Sequence, residues 1–227
     1  MVNRMQTSLQ NIDVVLWDWN GTLLDDVDFT FGCLNWMLAE HGYPQRYDMA
    51  AYRELFDFPI EDYYLRAGFD FSKHPYPMLA ERFMAHYNAG VPGCGVMPGA
   101  AAALQALQAA GKRQLVLSAS RRDYLVQQVA ARGLTGYFDA LLGLDDIYGA
   151  SKVQLGLDWM QAAGVDPARC VMIGDTTHDA AVAKALGAQC ILLTCGHQSR
   201  ARLQAVCDIV LDGPEAAAAL LLGQSAE

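Results

Sequence analysis

Asp13-Val-Val-Leu-Trp-Asp-Trp-Asn-Gly-Thr22 is the stretch that decides the fold. Its first half is apolar at consecutive positions, as a strand buried on both faces of a parallel sheet must be. It delivers Asp18 at its carboxyl end, the edge of an open parallel sheet at which ligands bind where the strand order reverses. Asn20-Gly21-Thr22 then turns the chain sharply, and Gly21 allows backbone N–H groups to approach an oxyanion closely. Taken alone, the segment also reads as a strand end followed by an ordinary polar turn.

Outward from this strand, short apolar runs alternate with helical patterns, the signature of a parallel sheet covered by helices on both faces. The runs are Ile12 to Trp17, Leu115 to Leu117, Ala140 to Leu144, Cys170 to Ile173, Cys190 to Leu193 and Ile209 to Leu211. The intervening helices have glycine stops: Pro98 to Ala110 at Gly111, Arg122 to Arg132 at Gly133, Lys152 to Ala163 at Gly164, and Thr177 to Leu186 at Gly187. Each glycine suits a left-handed cap. Roughly 90 residues separate the first two strands, far more than one crossover helix needs, so the interval holds an insert. Residues 26–94 are expected to form a helical cap, and residues 1–25 and 95–227 the core. Phe29, Cys33, Trp36 and Met37 share one helical face, Asp48 is placed to cap a second helix, and Pro59 and Pro75 to open two more. Val91-Pro-Gly-Cys-Gly-Val-Met-Pro-Gly99 reads as a turn-rich linker and hinge.

Composition narrows the function. Hydrophobic residues make up 53% of the 227 and charged residues 18%, a packed globular profile. The formal charge of −9 argues against a nucleic-acid or anionic-membrane surface, which clustered Lys and Arg would provide. No apolar stretch approaches the roughly 20 residues of a membrane span, and Met1 to Asn11 lacks a signal-peptide core, so a cytoplasmic protein is expected. Six scattered cysteines without a CxxC pair read as reduced, mostly buried thiols.

Three further segments carry chemistry, each after a strand. Gly174-Asp-Thr-Thr-His-Asp179 sets two carboxylates four residues apart, able to point at one spot; beside Asp18 they would repel, and a hard cation such as magnesium resolves that conflict. Plain helix capping explains the same letters. Lys152 falls where a helix begins, against the dipole, and a phosphoryl group there would justify it better than solvent does. Ser118 ends its strand, with Ala119 leading toward the next helix; its hydroxyl and free N–H groups suit phosphoryl oxygens, and a serine N-cap suits them equally.

Four such segments in this order resemble the haloacid dehalogenase (HAD) superfamily over nearly the whole chain: Asp18-Trp-Asn-Gly-Thr22 its DxDGT motif, Ser118 the second-motif hydroxyl, Lys152 the third-motif lysine, and Gly174–Asp179 its GDxxxD motif. The resemblance implies an α/β Rossmann-like three-layer core and Asp18 as a nucleophile that becomes phosphorylated, then hydrolysed by water. It implies Mg2+ held by Asp18, the Asn20 carbonyl and Asp175, with Asp179 acting through water or an outer contact. The phosphoryl group of a small phosphorylated substrate would be held by Gly21, Thr22, Ser118, Ala119 and Lys152. The cap position and Val96-Met-Pro-Gly-Ala100 are similar to the phosphoglycolate phosphatase and phosphoglucomutase branch.

Position 20 departs from the motif. Hydrolases of this family usually carry an Asp there as acid and base; an amide cannot relay a proton, a loss of about 10²- to 10⁴-fold. Hydrolysis is therefore expected to be slowed or specialised, with phosphonate hydrolysis, a mutase-like reaction or phosphate binding without useful turnover as alternatives. Lys73 would be the Schiff-base lysine of a phosphonate hydrolase, His178 a substitute proton relay, and Arg46, Arg53, Arg66 and Arg82 cap contacts for a second anionic group.

Overall fold

A computed structural model describes residues 9, 11–145 and 151–224 of the chain. Most of the N-terminal stretch read as lacking a signal-peptide core lies outside the described residues. Six parallel strands form the central sheet in the order β5-β4-β1-β6-β7-β8. They are β1 (Val14–Trp17), β4 (Arg113–Arg121), β5 (Ala140–Leu144), β6 (Cys170–Gly174), β7 (Gln189–Leu193) and β8 (Val210–Leu211). The chain grows outward from β1 through β4 to β5, then crosses back to β6 on the other side. The strand order therefore reverses at β1, and a crevice opens at its carboxyl end.

The consecutive apolar residues of β1 are explained by two separate cores. Val15 and Trp17 face one side, packed with Leu104 and Leu107 of α5 (Ala100–Ala109), Leu125 and Val129 of α6 (Arg122–Ala131), and Ala217 and Leu221 of α10 (Pro214–Leu221). Val14 and Leu16 face the other, against Met160 of α7 (Lys152–Ala163) and Val182 and Leu186 of α8 (Thr177–Leu186). A short helix α9 (Arg200–Gln204) sits between β7 and β8. Each such valine, leucine or methionine contributes about 1.5–3 kcal/mol by burial. The expected glycine stops hold: Gly164 and Gly187 cap α7 and α8 in the left-handed conformation.

Between β2 (Leu24–Asp25) and β3 (Gly95–Val96), four helices form the cap layer: α1 (Val27–Glu40), α2 (Met49–Leu55), α3 (Ile60–Arg66) and α4 (Tyr76–Gly90). Asp48 caps α2 by accepting the Ala51 N–H at 2.8 Å, and Pro59 and Pro75 stand at the starts of α3 and α4. Aromatic side chains fill the cap, with Tyr52, Phe56, Tyr63, Tyr64, Phe69 and Tyr87 all buried.

Phe29, Cys33, Trp36 and Met37 share one face of α1 as expected: Cys33 and Met37 are buried, and Phe29 and Trp36, half-buried, pack against the same core and turn toward His86 of α4, which Trp36 stacks on at 3.7 Å. Two expectations need correction. The stretch 91–99 is not a plain turn-rich linker, since Gly95–Val96 pairs antiparallel with Leu24–Asp25. Ser118 does not end its strand either: β4 runs on to Arg121, as the Ser118 Oγ accepts the Ser120 N–H at 3.0 Å and the β5 register shifts. Arg121 precedes α6, so the serine N-cap is absent there.

Gln114 links the layers, its Nε2 donating to Leu104 O at 2.9 Å while its Oε1 accepts the Trp17 Nε1–H at 3.1 Å. Gln114→Leu leaves the buried Trp17 Nε1–H without its acceptor and should lose about 2 kcal/mol. A thermal melt should show a fall of roughly 4–8 °C for a chain of this size. An unchanged midpoint would mean that this bridge is not needed.

Candidate active site

The strand register brings three of the four chemistry-bearing segments to one edge. Trp17 pairs with Val116 and Ile173, so Asp18 and Asp175 follow at the carboxyl ends of β1 and β6 and Ser118 comes level with them within β4. The Asp18 N–H donates to Ile173 O at 2.8 Å, extending the ladder to the site itself. Lys152, the first residue of α7, reaches across from the second face of the sheet. Its Nζ donates to Asp18 Oδ1 and to Asp179 Oδ1, each at 2.6 Å, and the lysine is 5% exposed. A buried ammonium between two carboxylates is stable only because both are so close.

Asp179 is held by four donors, Lys152 on Oδ1 and three on Oδ2. Its Oδ2 accepts from the N–H groups of Asp175 and Thr176 at 3.2 and 3.1 Å and from Thr176 Oγ1 at 2.7 Å, a capping box that starts α8. Burial alone would raise its pKa, but Lys152 and these donors hold it below the usual carboxylate value. Asp175 is braced differently, by the Thr22 hydroxyl at 2.9 Å on Oδ1 and by the His197 N–H at 2.6 Å on Oδ2. Burial pushes its pKa to about 8, with the Asp179 charge adding to the effect. Asp18 is likewise pushed to about 8 by burial against the pull of Lys152. Lys152 itself is held charged, its two carboxylates outweighing burial.

This loop packing tolerates no side chains at two positions. A Cβ on Gly21, whose φ is +69°, would lie 2.6 Å from both Asp175 Oδ2 and the His197 ring, and a Cβ on Gly196 would lie 2.1 Å from the same oxygen. Asp18, Asp175 and Asp179 each present an oxygen within 4.8 Å of the others. An all-carboxylate donor set, with only one ammonium between three acids, fits a hard divalent cation.

Gly21 and Thr22 have partners other than those expected. The Gly21 N–H donates to Asp26 Oδ1 at 2.8 Å and to Leu24 O, and the Thr22 hydroxyl holds Asp175, so both donors are engaged by the protein. Ser118 is buried at the site edge, and Ala119 follows it on β4, half-buried. Lys73 lies on the cap surface, 71% exposed and paired with Asp70 at 3.5 Å, away from a Schiff-base setting. His178 packs on Phe58 and is held neutral first by burial and then by Lys152.

Several residues at the site were not singled out from the sequence. Asp26, 1% exposed, accepts from Asn20 Nδ2 at 2.8 Å, from the Gly21 N–H and from the Tyr87 hydroxyl of α4. His197 bonds the Tyr52 hydroxyl of α2 through Nδ1 at 2.8 Å and stacks on Phe56. Gln198 accepts the Thr177 N–H of α8 at 2.8 Å and donates to Phe56 O at 2.9 Å, tying core to cap. The signal for the last two was Thr194-Cys-Gly-His-Gln-Ser199, which follows an apolar run as the other site segments do.

The raised carboxyls set a pH dependence. Asp18 and Asp175 bind protons more tightly folded, at about 8, than at the ordinary 3.8. The stability they contribute is fully present below about pH 4 and is lost as pH rises through about 8. In chelator, the melting midpoint should fall between pH 6 and pH 9, and a divalent cation should raise it more at pH 8 than at pH 6. A flat profile would contradict this electrostatic picture.

Known proteins resemble this chain in sequence and fold. The profile of the haloacid dehalogenase-like hydrolases matches residues 15–193. The phosphoglycolate phosphatase of Caulobacter vibrioides is 28% identical over 220 residues, 91% of each chain. A HAD family hydrolase from Deinococcus radiodurans, with bound phosphate and sodium, is 25% identical with a TM-score of 0.74, covering 94% of this chain and 96% of that one. A haloacid dehalogenase-like family protein of Streptococcus pneumoniae shares the fold at 18% identity, with a TM-score of 0.78 over 92% of this chain and 98% of its own. Since the matched span runs from β1 to the end of β7 and so includes every strand that borders the acidic cluster, the chain belongs to the haloacid dehalogenase-like hydrolase family.

Proposed function

We propose that this hydrolase is a phosphatase of a small phosphorylated metabolite, with Asp18 as the nucleophile. The observation that carries the reading is the Asp18 carboxylate, held among the described residues by Lys152 through Oδ1, at the carboxyl end of β1 between β4 and β6. Asp18 Oδ2 attacks phosphorus, the ester P–O bond breaks, and the released oxygen takes a proton from water. Water then attacks the phosphorus of the aspartyl-phosphate, freeing phosphate and restoring the carboxylate. Magnesium, held by Asp18 and Asp175 with the Asn20 carbonyl, would neutralise the charge gathering on the phosphoryl oxygens. Asp179 serves by fixing Lys152 and the start of α8, and Lys152 and Ser118 supply donors to the transferring group.

Asn20 sets the kind of substrate. Its amide donors are engaged by Asp26 and Tyr87, so no side chain at this position protonates the leaving oxygen. Substrates whose leaving group needs no such help, acyl and aryl phosphates, should therefore outpace alkyl phosphates by about 10²-fold or more. In a phosphate-release assay with magnesium, Asp18→Asn should abolish turnover and chelator should suppress it. Undiminished release by that variant would sink the reading.

The cap suggests a second anionic group. Arg46 bonds the carbonyls of Tyr43 and Gln45, Arg66 pairs with Asp57, and Arg82 pairs with Glu40 over Trp36. Among the described residues, the Arg53 side chain has no hydrogen-bond or ion-pair partner and its Nε is buried, while its carbonyl accepts the Ser199 N–H beside the His197 loop. The phosphoglycolate phosphatases among the relatives fit a phosphomonoester that also bears a carboxylate. Arg53→Ala should raise KM for such a substrate by about tenfold or more, with kcat nearly unchanged. An equal KM effect on a phosphomonoester without the carboxylate would contradict this role.

Phosphate binding without turnover is the second reading, favoured by the amide at position 20. Calorimetry showing tight binding of phosphorylated ligands, with no phosphate released, would establish it instead.

A further inference from the structure

The Asn20 side chain is held on every side. Its Oδ1 accepts the Ser120 hydroxyl of β4 at 2.8 Å, and its Nδ2 donates to Asp26 Oδ2 at 2.8 Å and to the Tyr87 hydroxyl at 2.7 Å. Asp26 in turn accepts the Gly21 N–H on Oδ1 at 2.8 Å and the Tyr87 hydroxyl on Oδ2. The polarity of this network is therefore fixed, with a donor at position 20 and acceptors at position 26. A carboxylate at position 20 would set two bare oxygens against each other in a buried pocket, since Asp26 is 1% and Tyr87 6% exposed. An amide at position 26 would turn an N–H toward either the Gly21 N–H or the Asn20 amide.

One other arrangement satisfies every main partner. With Asp at 20 and Asn at 26, the new Asn Oδ1 accepts the Gly21 N–H, and its Nδ2 donates to the carboxylate at 20. That carboxylate also accepts the hydroxyls of Ser120 and Tyr87. The long Thr30 contact to Asp26, at 3.4 Å, loses its acceptor, and the His197 Nε2, 3.8 Å from Asp26 Oδ1, faces an amide oxygen in place of a carboxylate.

We propose that Asn20 and Asp26 form an interdependent amide–carboxylate pair, in which Asp26 is a positioning residue. Through Asn20 and the Gly21 N–H it holds the loop that follows the nucleophile and docks it against Tyr87 of the cap. The amide beside Asp18 is thus a requirement set by Asp26, and the single carboxylate of the pair is exchangeable between the two positions. The kinetic part of this proposal rests on the phosphatase reading; the structural part does not.

The test compares the wild type, Asn20→Asp, Asp26→Asn and the exchange variant carrying both. Asn20→Asp should lower the melting midpoint in the wild type and raise it when added to Asp26→Asn, a reversal of sign that independent positions cannot give. On an acyl or aryl phosphate, whose leaving group needs no proton, each single variant should lose at least about tenfold in kcat, with KM held within about threefold, and the exchange should recover most of that loss. If Asn20→Asp fails to fold, the exchange variant against Asp26→Asn decides the question alone. Additive effects in both readouts, or an exchange variant less stable than Asp26→Asn, would overturn the pair. Recovery of the midpoint without recovery of kcat would overturn the positioning role. Absence of turnover in the wild type would count against the phosphatase reading, while the midpoints would still decide the pair.

Discussion

One buried ammonium shared by two carboxylates governs the site. Lys152 lies 2.6 Å from both Asp18 and Asp179, and Asp175 stands beside them with no cationic partner among the described residues. Three acids and one base cannot all remain charged in a dry crevice without help. Each nearby feature answers that imbalance. Asp179 is neutralised by the N-terminus of α8 and by Lys152. Asp175 is met by the Thr22 hydroxyl and a backbone N–H, and glycines at 21 and 196 let those donors come close. What remains is a surplus of negative charge that only protons or a metal ion can satisfy, at the place where a phosphoryl group would be received.

The cap is bound to this charge as much as it covers it. Tyr52 bonds His197, whose backbone holds Asp175; Tyr87 bonds Asp26, whose carboxylate holds Asn20 and Gly21. Gln198 and Arg202 reach from the core to the carbonyl of Phe56, and Arg202 also pairs with Asp57 at 2.8 Å. Hydrogen bonds to charged groups are worth about 1.5–3 kcal/mol each. Any movement of the cap helices is therefore coupled to the geometry around Asp18 and Asp175.

The core was legible in the sequence because its physics is local. Strands buried on both faces must be apolar at consecutive positions, as Val14 to Trp17 are, and helices that end in a left-handed residue call for glycine, as at Gly164 and Gly187. The acids at 18, 175 and 179 and the lysine at 152 stood out because each follows an apolar run or opens a helix. The end of β4 was not legible, since Ser118 to Arg121 carries no apolar signal and is ordered by a side-chain bond and by its neighbour strand. Asp26, Tyr52, Tyr87 and His197 were missed for a different reason. Their partners lie 61 residues apart in one case and 145 in the other, and no local pattern marks a tyrosine for a carboxylate or a histidine that distant. The amide at position 20 reads in the sequence as a missing acid; that it also donates to a buried carboxylate, Asp26, is visible only in three dimensions.

A crystal structure grown with magnesium and beryllium trifluoride, which mimics a phosphoryl group on a carboxylate, tests the assignment of Asp18 most directly. The beryllium should be bonded to Asp18 Oδ2, with Lys152 and Ser118 on its fluorines, and magnesium should be bound between Asp18 and Asp175. Fluoride bound away from Asp18, or magnesium at other carboxylates while Asp18 stays paired only with Lys152, would contradict it.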